Sequence, residues 1–325
     1  MLLDKIVGQD VVITSLKNSL RENRIHHAYL FHGVRGVGKA TTAKYFAQCI
    51  LCDTQDGCGM CKNCIAIANE GNPNLQIVET TSSIGINEIR EIKKKTAIKQ
   101  GEHTIWIILE AERMTIQAAN SLLKILEEPP EGNIFLLVTD SPNRLLPTIL
   151  SRCVSVPFKR LHEPELLGLL KAIIPQAKDD NEKCMVVARM ANGSIGDAIE
   201  LWDGPILQRR NLVVEKLLEV SRAPFARVLG FSIEWEEDRE TVITDLAIML
   251  KWFRDILILK TDSDLPLSNP DYENELRILS EKYSLESVIE LIELLGELIP
   301  ALRANARPRF ILGYLLLKMK KGVMP

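Results

Sequence analysis

The chain has 325 residues, of which 46% are hydrophobic and 26% are charged, and its formal net charge at pH 7 is −3. This is the composition of an ordinary globular protein with room for two or three domains, and the mild negative charge argues against a general nucleic-acid coat protein. The amino terminus is charged by its fourth residue, unlike a signal peptide, and the apolar run Phe310–Met319 is too short to span a bilayer. We therefore expect a cytoplasmic protein with no membrane partner.

Residues 1–158 alternate strand-like and helix-like segments, in the pattern of a parallel sheet covered by helices on both faces. Short, nearly continuous apolar runs mark the candidate strands, at residues 27–31, 74–79, 104–109, 134–139 and 153–158. Helical patterns fill the gaps, and TIQAANSLLKILEE is stopped by Pro129 and Pro130. The predicted class is α/β, a P-loop NTPase-like parallel sheet with an edge where a nucleotide could sit.

The remaining residues show helical patterns without strands. Residues 159–204 are predicted to form a small helical domain, and residues 205–325 an all-α domain, so that three domains are expected: 1–158, 159–204 and 205–325. The segment SDLPLSNPDYEN, residues 263–274, is the most loop-like interruption because it is rich in Pro, Ser, Asp and Asn. Trp106 and Trp252 stand at apolar positions and are expected in the cores.

The stretch HGVRGVGKATTA, residues 32–43, has the pattern of a phosphate-binding loop. It follows a predicted strand and opens a predicted helix, which is the context that this motif needs. Its glycines, Gly33, Gly36 and Gly38, would let backbone N–H groups face a phosphate, and Lys39 would reach the terminal phosphates. The plain alternative is a glycine-rich turn that only joins strand to helix.

Two contacts that normally hold Mg²⁺ in such a site are missing. The residue after the lysine should carry a hydroxyl, but the chain has Ala40, and Thr41 lies about 100° further round the helix. An Asp should end the apolar strand, but TIWIILEAE has Leu109 there and keeps Glu110 in the next position. Because Mg²⁺ neutralises phosphate oxygens during phosphoryl transfer, the double loss predicts a site that does not hydrolyse nucleotide.

Five of the seven cysteines lie between Cys49 and Cys64. The spacing Cys52-x5-Cys58-x2-Cys61-x2-Cys64 offers four thiolates with two C-x-x-C steps, which suits a closed tetrahedral zinc site with a structural role. Iron–sulfur ligation and free thiols are the alternatives. Cys49 could compete as a ligand, but it falls within a helical pattern and is expected to be a core thiol.

Several stretches, taken in order, resemble the bacterial clamp-loader AAA+ subunits of DNA polymerase III. They are KIVGQDVVITSLKNSLRENRIHHAYLFHGVRGVGKATTAKYFAQCILC, the four-cysteine insert, AANSLLKILEEPP and LLPTILSRC, and they cover nearly all of residues 3–204. The resemblance implies an AAA+ fold with a zinc-binding insert, a helical lid domain (159–204) and a helical collar domain (205–325). The collar helices could pack against neighbouring subunits or simply close their own bundle.

The family contains a gamma/tau motor subunit that hydrolyses ATP and a delta-prime subunit that usually does not, and the departures favour the delta-prime type. Besides Ala40 and Leu109, GSIGDAI has Gly196 where the motor carries an Arg that touches the nucleotide. The tripeptide SRC is intact, and in the family its Arg, here Arg152, serves a neighbouring subunit's ATP as an arginine finger. A guanidinium offered across an interface needs no nucleotide on its own chain. From the tripeptide alone, Arg152 would be a plain surface arginine.

The resemblance implies a non-catalytic subunit that works with gamma/tau and delta subunits to load the sliding clamp onto primed DNA. Its cofactor would be structural Zn²⁺, and ATP or ADP could still bind without hydrolysis through the loop and the GQD stretch at residues 8–10. One alternative is an active gamma/tau-type ATPase whose divergent Mg²⁺ site uses Thr41 and Glu110. Another is a zinc-dependent nucleic-acid-binding module, which the near-neutral charge disfavours.

Overall fold

The computed structural model describes residues 1–80, 82–96, 103–235, 238–263 and 265–322. The chain divides into two units. The first comprises Met1–Leu169 together with Asn192–Asp197, and the second comprises Leu170–Ala191 together with Ala198–Pro325. The division into three domains at residues 158 and 204 stays a prediction.

Five strands form the sheet of the first unit: β1 (Ala28–His32), β2 (Leu75–Val78), β3 (Thr104–Ile108), β4 (Asn133–Thr139) and β5 (Val154–Pro157). All neighbouring strands run parallel, in the order β2-β3-β4-β1-β5. Each strand begins and ends within one residue of its predicted segment. The apolar runs were informative because a strand covered on both faces must be apolar at nearly every position, and β4, at the centre, is buried throughout.

The register of the sheet brings the ends of several strands to one edge. The last residue of β1, His32, is aligned with Thr139 of β4 on one side and with Pro157 of β5 on the other. Because the strands are parallel, the segments that follow β1, β3 and β4 all leave from this edge. It is the edge that carries the phosphate-type loop.

Helices cover both faces of the sheet. The first six are α1 (Asp10–Arg21), α2 (Lys39–Leu51), α3 (Lys62–Ala68), α4 (Ile86–Thr96), α5 (Ile116–Glu127) and α6 (Pro147–Leu150). Alternate strand residues belong to different cores: Tyr29 and Phe31 share one with α1 and α2, whereas Leu30 shares the other with α4 and α5. The parallel sheet, its covered faces and the loop after β1 confirm the predicted α/β AAA+ fold.

The rest of the described chain is helical. Its helices are α7 (Glu163–Ile173), α8 (Asn181–Ala191), α9 (Ile195–Asp203), α10 (Ile206–Arg222), α11 (Val228–Glu234), α12 (Arg239–Lys260), α13 (Glu273–Lys282), α14 (Leu285–Arg303) and α15 (Pro308–Gly322). Apolar residues of α10, α12, α14 and α15 build the core of the second unit around Trp252 and Phe253. Trp106 and Trp252 are buried, as expected, and the all-α C-terminal region is confirmed. No helix among the described residues is long and apolar enough to cross a membrane.

Among the described residues of the loop-like interruption predicted at 263–274, some are helical and some are buried. Helix α13 begins inside it, and its middle is buried against α12. The carboxylate of Asp255 accepts hydrogen bonds from the backbone N–H groups of Ser268 and Asn269, at 2.9 and 2.8 Å. Arg210, which is 1% exposed, holds Asp271 through two hydrogen bonds of 2.6 and 2.5 Å. Long-range polar contacts therefore order a segment whose composition indicated only a loop.

Candidate functional site

The phosphate-type loop runs from Gly33 to Gly38 between β1 and α2. Gly36 and Gly38 have φ angles of 74° and 95°, in the left-handed region that residues with a side chain rarely adopt. Gly38 is the N-cap of α2, so the loop leads into the positive end of that helix. The structure therefore brings the predicted residues Gly33, Gly36, Gly38 and Lys39 together in one loop.

The side chain of Lys39 is folded back onto this loop and is only 4% exposed. Its Nζ donates to the backbone oxygens of Gly33 and Val34, at 2.9 and 2.5 Å. It also forms an ion pair with Oδ1 of Asp140 at 2.6 Å. An ammonium has three hydrogens to donate, and these three acceptors match them. The lysine that would reach the terminal phosphates is thus bound by groups of its own chain.

The segment that carries Gly196 lies directly against the loop. The backbone N–H of Gly196 donates to the oxygen of Gly36 at 2.9 Å. A Cβ atom added to Gly196 would lie 2.8 Å from the Cα of Gly36, closer than real side chains come. An arginine at this position would therefore force the segment and the loop apart. The glycine is a requirement of this packing as well as a departure from the motor pattern.

The residues after Lys39 offer no hydroxyl at the usual metal position. Ala40 is half-buried, and Thr41 lies on the exposed side of α2. The next residue, Thr42, is buried and donates its hydroxyl to the oxygen of Gly38 at 2.8 Å. The predicted nucleotide residue Thr41 therefore stands apart from the groups that hold Lys39.

The second metal position is also apolar. Leu109 follows β3, packs in the core shared with α1 and α2, and donates its N–H to the oxygen of Val78 at 3.0 Å. Glu110, the next residue, forms an ion pair with Arg113 at 3.0 Å. A leucine side chain has no oxygen for Mg²⁺, and the adjacent carboxylate already has a cationic partner.

Three residues near this edge have contacts that sequence patterns did not reveal. Besides Asp140, His32 places its Nε2 2.8 Å from the hydroxyl of Ser155, and burial together with the charge of Lys39 lowers the pKa of His32. Gln9, from the GQD stretch, is 3% exposed and exchanges two hydrogen bonds with the backbone of Lys159, at 2.7 and 3.0 Å. The usable signal for Asp140 was its position directly after a parallel strand, where it meets the loop of the neighbouring strand.

The four predicted metal ligands form one cluster. The Sγ atoms of Cys52, Cys58, Cys61 and Cys64 all lie within 4.8 Å of one another. Four sulfurs around one Zn²⁺ at ~2.3 Å stand about 3.8 Å apart in a tetrahedron, so the cluster has nearly the required size. Backbone N–H groups donate to three of the sulfurs, at 3.3, 3.4 and 3.4 Å. Cys49 lies outside this group, and its burial raises its pKa to about 11. The cluster is compatible with structural zinc.

Arg152 lies just after α6, with 35% of its side chain exposed. One end of its guanidinium, Nη1, donates to the backbone oxygen of Thr148 at 2.9 Å. The other end, Nη2, forms an ion pair with Oε1 of Glu127, the last residue of α5, at 2.9 Å. The predicted finger residue is therefore accessible at the surface and held from two sides, and no local sequence pattern indicated the role of Glu127.

Comparisons of the sequence find subunits of bacterial DNA polymerase III. Residues 8–162 match the family model described as DNA polymerase III, delta subunit. The delta' subunit of DNA polymerase III from Bacillus subtilis (strain 168) is 28% identical over 326 residues, which are 97% of this chain and 97% of that protein. Over 97% of its length the chain is thus similar to subunits of bacterial DNA polymerase III. The predicted resemblance to the delta-prime type of subunit is thereby confirmed.

Two further matches extend over most of the chain. The tau subunit of Bacillus subtilis (strain 168) is 29% identical over 345 residues, which are 97% of this chain but only 61% of the tau protein. The chain therefore spans about three fifths of that relative. The crystal structure of a gamma subunit-related protein from Thermotoga maritima has a TM-score of 0.41 at 18% identity, covering 94% of this chain and 99% of that one.

Proposed function

We propose that the chain is a delta-prime-type clamp-loader subunit that does not hydrolyse ATP. It would act in the cytoplasm with gamma/tau and delta subunits to load the sliding clamp onto primed DNA. Arg152 would enter the nucleotide site of a neighbouring motor subunit and stabilise charge on its γ-phosphate. Similarity to tau and delta' subunits over nearly the whole chain supports this assignment.

The observation that carries the proposal is that one cationic side chain is buried and bound by its own chain, whereas another is exposed at the surface. Lys39, which would bind the chain's own nucleotide, is 4% exposed and held by three acceptors of the chain. Arg152, which would serve another subunit, is 35% exposed at the surface. A chain that offers an arginine to a partner while its own phosphate loop is closed has the features of a supporting subunit.

The metal positions support the absence of hydrolysis. An active site with divergent metal ligands would use Thr41 and Glu110. Thr41 faces away on the exposed side of α2, and Glu110 is paired with Arg113. Together with Ala40 and Leu109, these placements favour a vestigial nucleotide site over the divergent motor.

We further propose that Cys52, Cys58, Cys61 and Cys64 hold one structural Zn²⁺. When bound, the metal would supply folding energy to the insert, because four protein ligands leave no open position for water. The resulting fixed insert joins α2 to α3, since Cys52 caps the end of α2 and Cys61 begins α3.

The test is ATP hydrolysis by the reconstituted complex of a motor subunit, a delta subunit and this chain, stimulated by clamp and primed DNA. Arg152→Ala should lower turnover several-fold, because only the site beside this chain loses its finger. Lys39→Ala should leave turnover unchanged, as should Arg144→Ala, a matched exposed arginine nearby. Equal damage from Lys39→Ala, or motor-like hydrolysis of Mg-ATP by the chain alone, would contradict the proposal.

A further inference from the structure

We infer that Glu127 is the positioning residue for Arg152, an assignment that rests on the proposed function. An exposed arginine samples many rotamers, and it would lose that freedom on entering a partner's site. A guanidinium that its own chain already holds in the required orientation loses less conformational freedom on binding. The neighbours of Arg152 are therefore part of its function, and the chain supplies two of them from different helices.

The two contacts define both the position and the plane of the guanidinium. Oε1 of Glu127 binds Nη2 at 2.9 Å, and the oxygen of Thr148 binds Nη1 at 2.9 Å. Because the fork is planar and rigid, acceptors at its two ends leave it little freedom to rotate. Thr148 belongs to α6, whose start is fixed by Pro147. Glu127 closes α5, whose residues Leu122 and Leu126 are anchored in the core.

The place of Glu127 on its helix gives an independent argument. Glu127 and Glu128 stand at the C-terminal end of α5, where the helix dipole disfavours carboxylates. Helix stability therefore does not explain them. Of the two, Glu127 pairs with Arg152, whereas no ion pair of Glu128 is seen among the described residues.

The exposure of the pair fits positioning better than permanent sequestration. Glu127 is 43% exposed and Arg152 is 35% exposed, so water and an incoming phosphate can both reach the guanidinium. A part-exposed ion pair is weak, and the doubly charged terminal phosphate of a nucleotide competes for it easily. Glu127 can thus orient Arg152 before the partner binds. It can then release one end of the guanidinium to the partner's nucleotide.

The test uses the same reconstituted complex with Glu127→Gln, Arg152→Ala and the double variant. Glu127→Gln should lower kcat for ATP about two- to fivefold, the range expected for one part-exposed charge pair, and leave KM unchanged. Glu127→Asp, which keeps the charge, should recover most of kcat. The matched control is Glu128→Gln, which removes the same charge from the same helix end and should change nothing. In the double variant, Glu127→Gln should add no effect to that of Arg152→Ala.

The results distinguish failure of the proposed function from failure of the positioning role of Glu127. If Arg152→Ala has no effect, the proposed function fails and the positioning role fails with it. If Arg152→Ala lowers turnover but Glu127→Gln equals wild type, acts additively in the double variant, or raises turnover, only the positioning role is overturned. Thermal melting and size-exclusion chromatography of each variant show whether the chain folds and joins the complex, so that a loss through misfolding is recognised.

Discussion

The closed phosphate loop predicts an asymmetry between two substitutions that break the same ion pair. Lys39→Met and Asp140→Asn both remove the charge interaction of this 2.6 Å ion pair, but each leaves a different charge behind. Lys39 is 4% exposed, whereas Asp140 is 36% exposed. Only the carboxylate can turn to water when its partner is lost. Asp140→Asn should therefore destabilise the first unit more than Lys39→Met.

The size of the difference follows from the remaining contacts. Stranding a fully buried charge costs about 3–5 kcal/mol, but after Asp140→Asn the ammonium keeps the oxygens of Gly33 and Val34. The exposure of Asp140 weakens the original pair further. We therefore expect a loss of about 1–2 kcal/mol for Asp140→Asn. Lys39→Met should cost under about 1 kcal/mol, because the two half-buried carbonyl groups can bind water instead.

The assay is urea unfolding monitored by hydrogen exchange. Peptides from β4 and α2 report the unfolding of the first unit separately. Glu91→Gln is the control, because it removes an equally short pair with Lys94 whose members are 60% and 72% exposed. That pair should contribute almost nothing. If the two test variants lose equal unfolding free energy, or if Lys39→Met loses more, burial of Lys39 is not what makes its ion pair contribute to stability.

Four further predictions concern the metal, the segment that carries Gly196, the second unit and pH. Chelation should release about one Zn²⁺ per chain; by metal analysis Cys64→Ser should abolish uptake, whereas Cys49→Ser should not. Gly196→Arg should lower the melting temperature of the first unit without creating ATP hydrolysis, because the side chain meets the loop. Arg210→Met should cost the second unit about 2–4 kcal/mol in urea unfolding, with Arg210→Lys intermediate. The lowered pKa of His32 means that its neutral form is favoured in the folded state, so stability should fall as pH drops through about 6.5, and His32→Asn should flatten that part of the pH–stability curve.

The features predicted from the sequence are those with a local cause. The five strands could be located because a doubly covered strand needs an apolar residue at almost every position. The phosphate loop was recognisable because its glycines adopt conformations that few other residues tolerate, as the φ angles of Gly36 and Gly38 illustrate. The cysteine cluster was recognisable because short C-x-x-C steps bring sulfurs together whatever surrounds them.

The contacts that determine the state of the site have no such local cause. Asp140 reaches Lys39 only because β4 lies beside β1 in the sheet, and Glu127 reaches Arg152 only because α5 packs near α6. Neither carboxylate stands out by periodicity or spacing. The same holds for residues 268–269, which buried Asp255 orders within a segment whose composition indicated only a loop. Pairings between distant segments follow from topology, which a single sequence constrains weakly.

The departures from the motor pattern are physically coupled rather than independent. The segment that carries Gly196 can lie on the loop because this glycine has no side chain, and its N–H then binds the oxygen of Gly36. In the same closed arrangement Lys39 is bound by Asp140 and by two loop carbonyl groups. Restoring only the metal contacts, through Ala40→Thr and Leu109→Asp, would therefore leave Lys39 bound and the segment of Gly196 in place. Hydrolysis should return, if at all, only when the loop is opened as well, since Mg²⁺ acts on a phosphate that must first be bound.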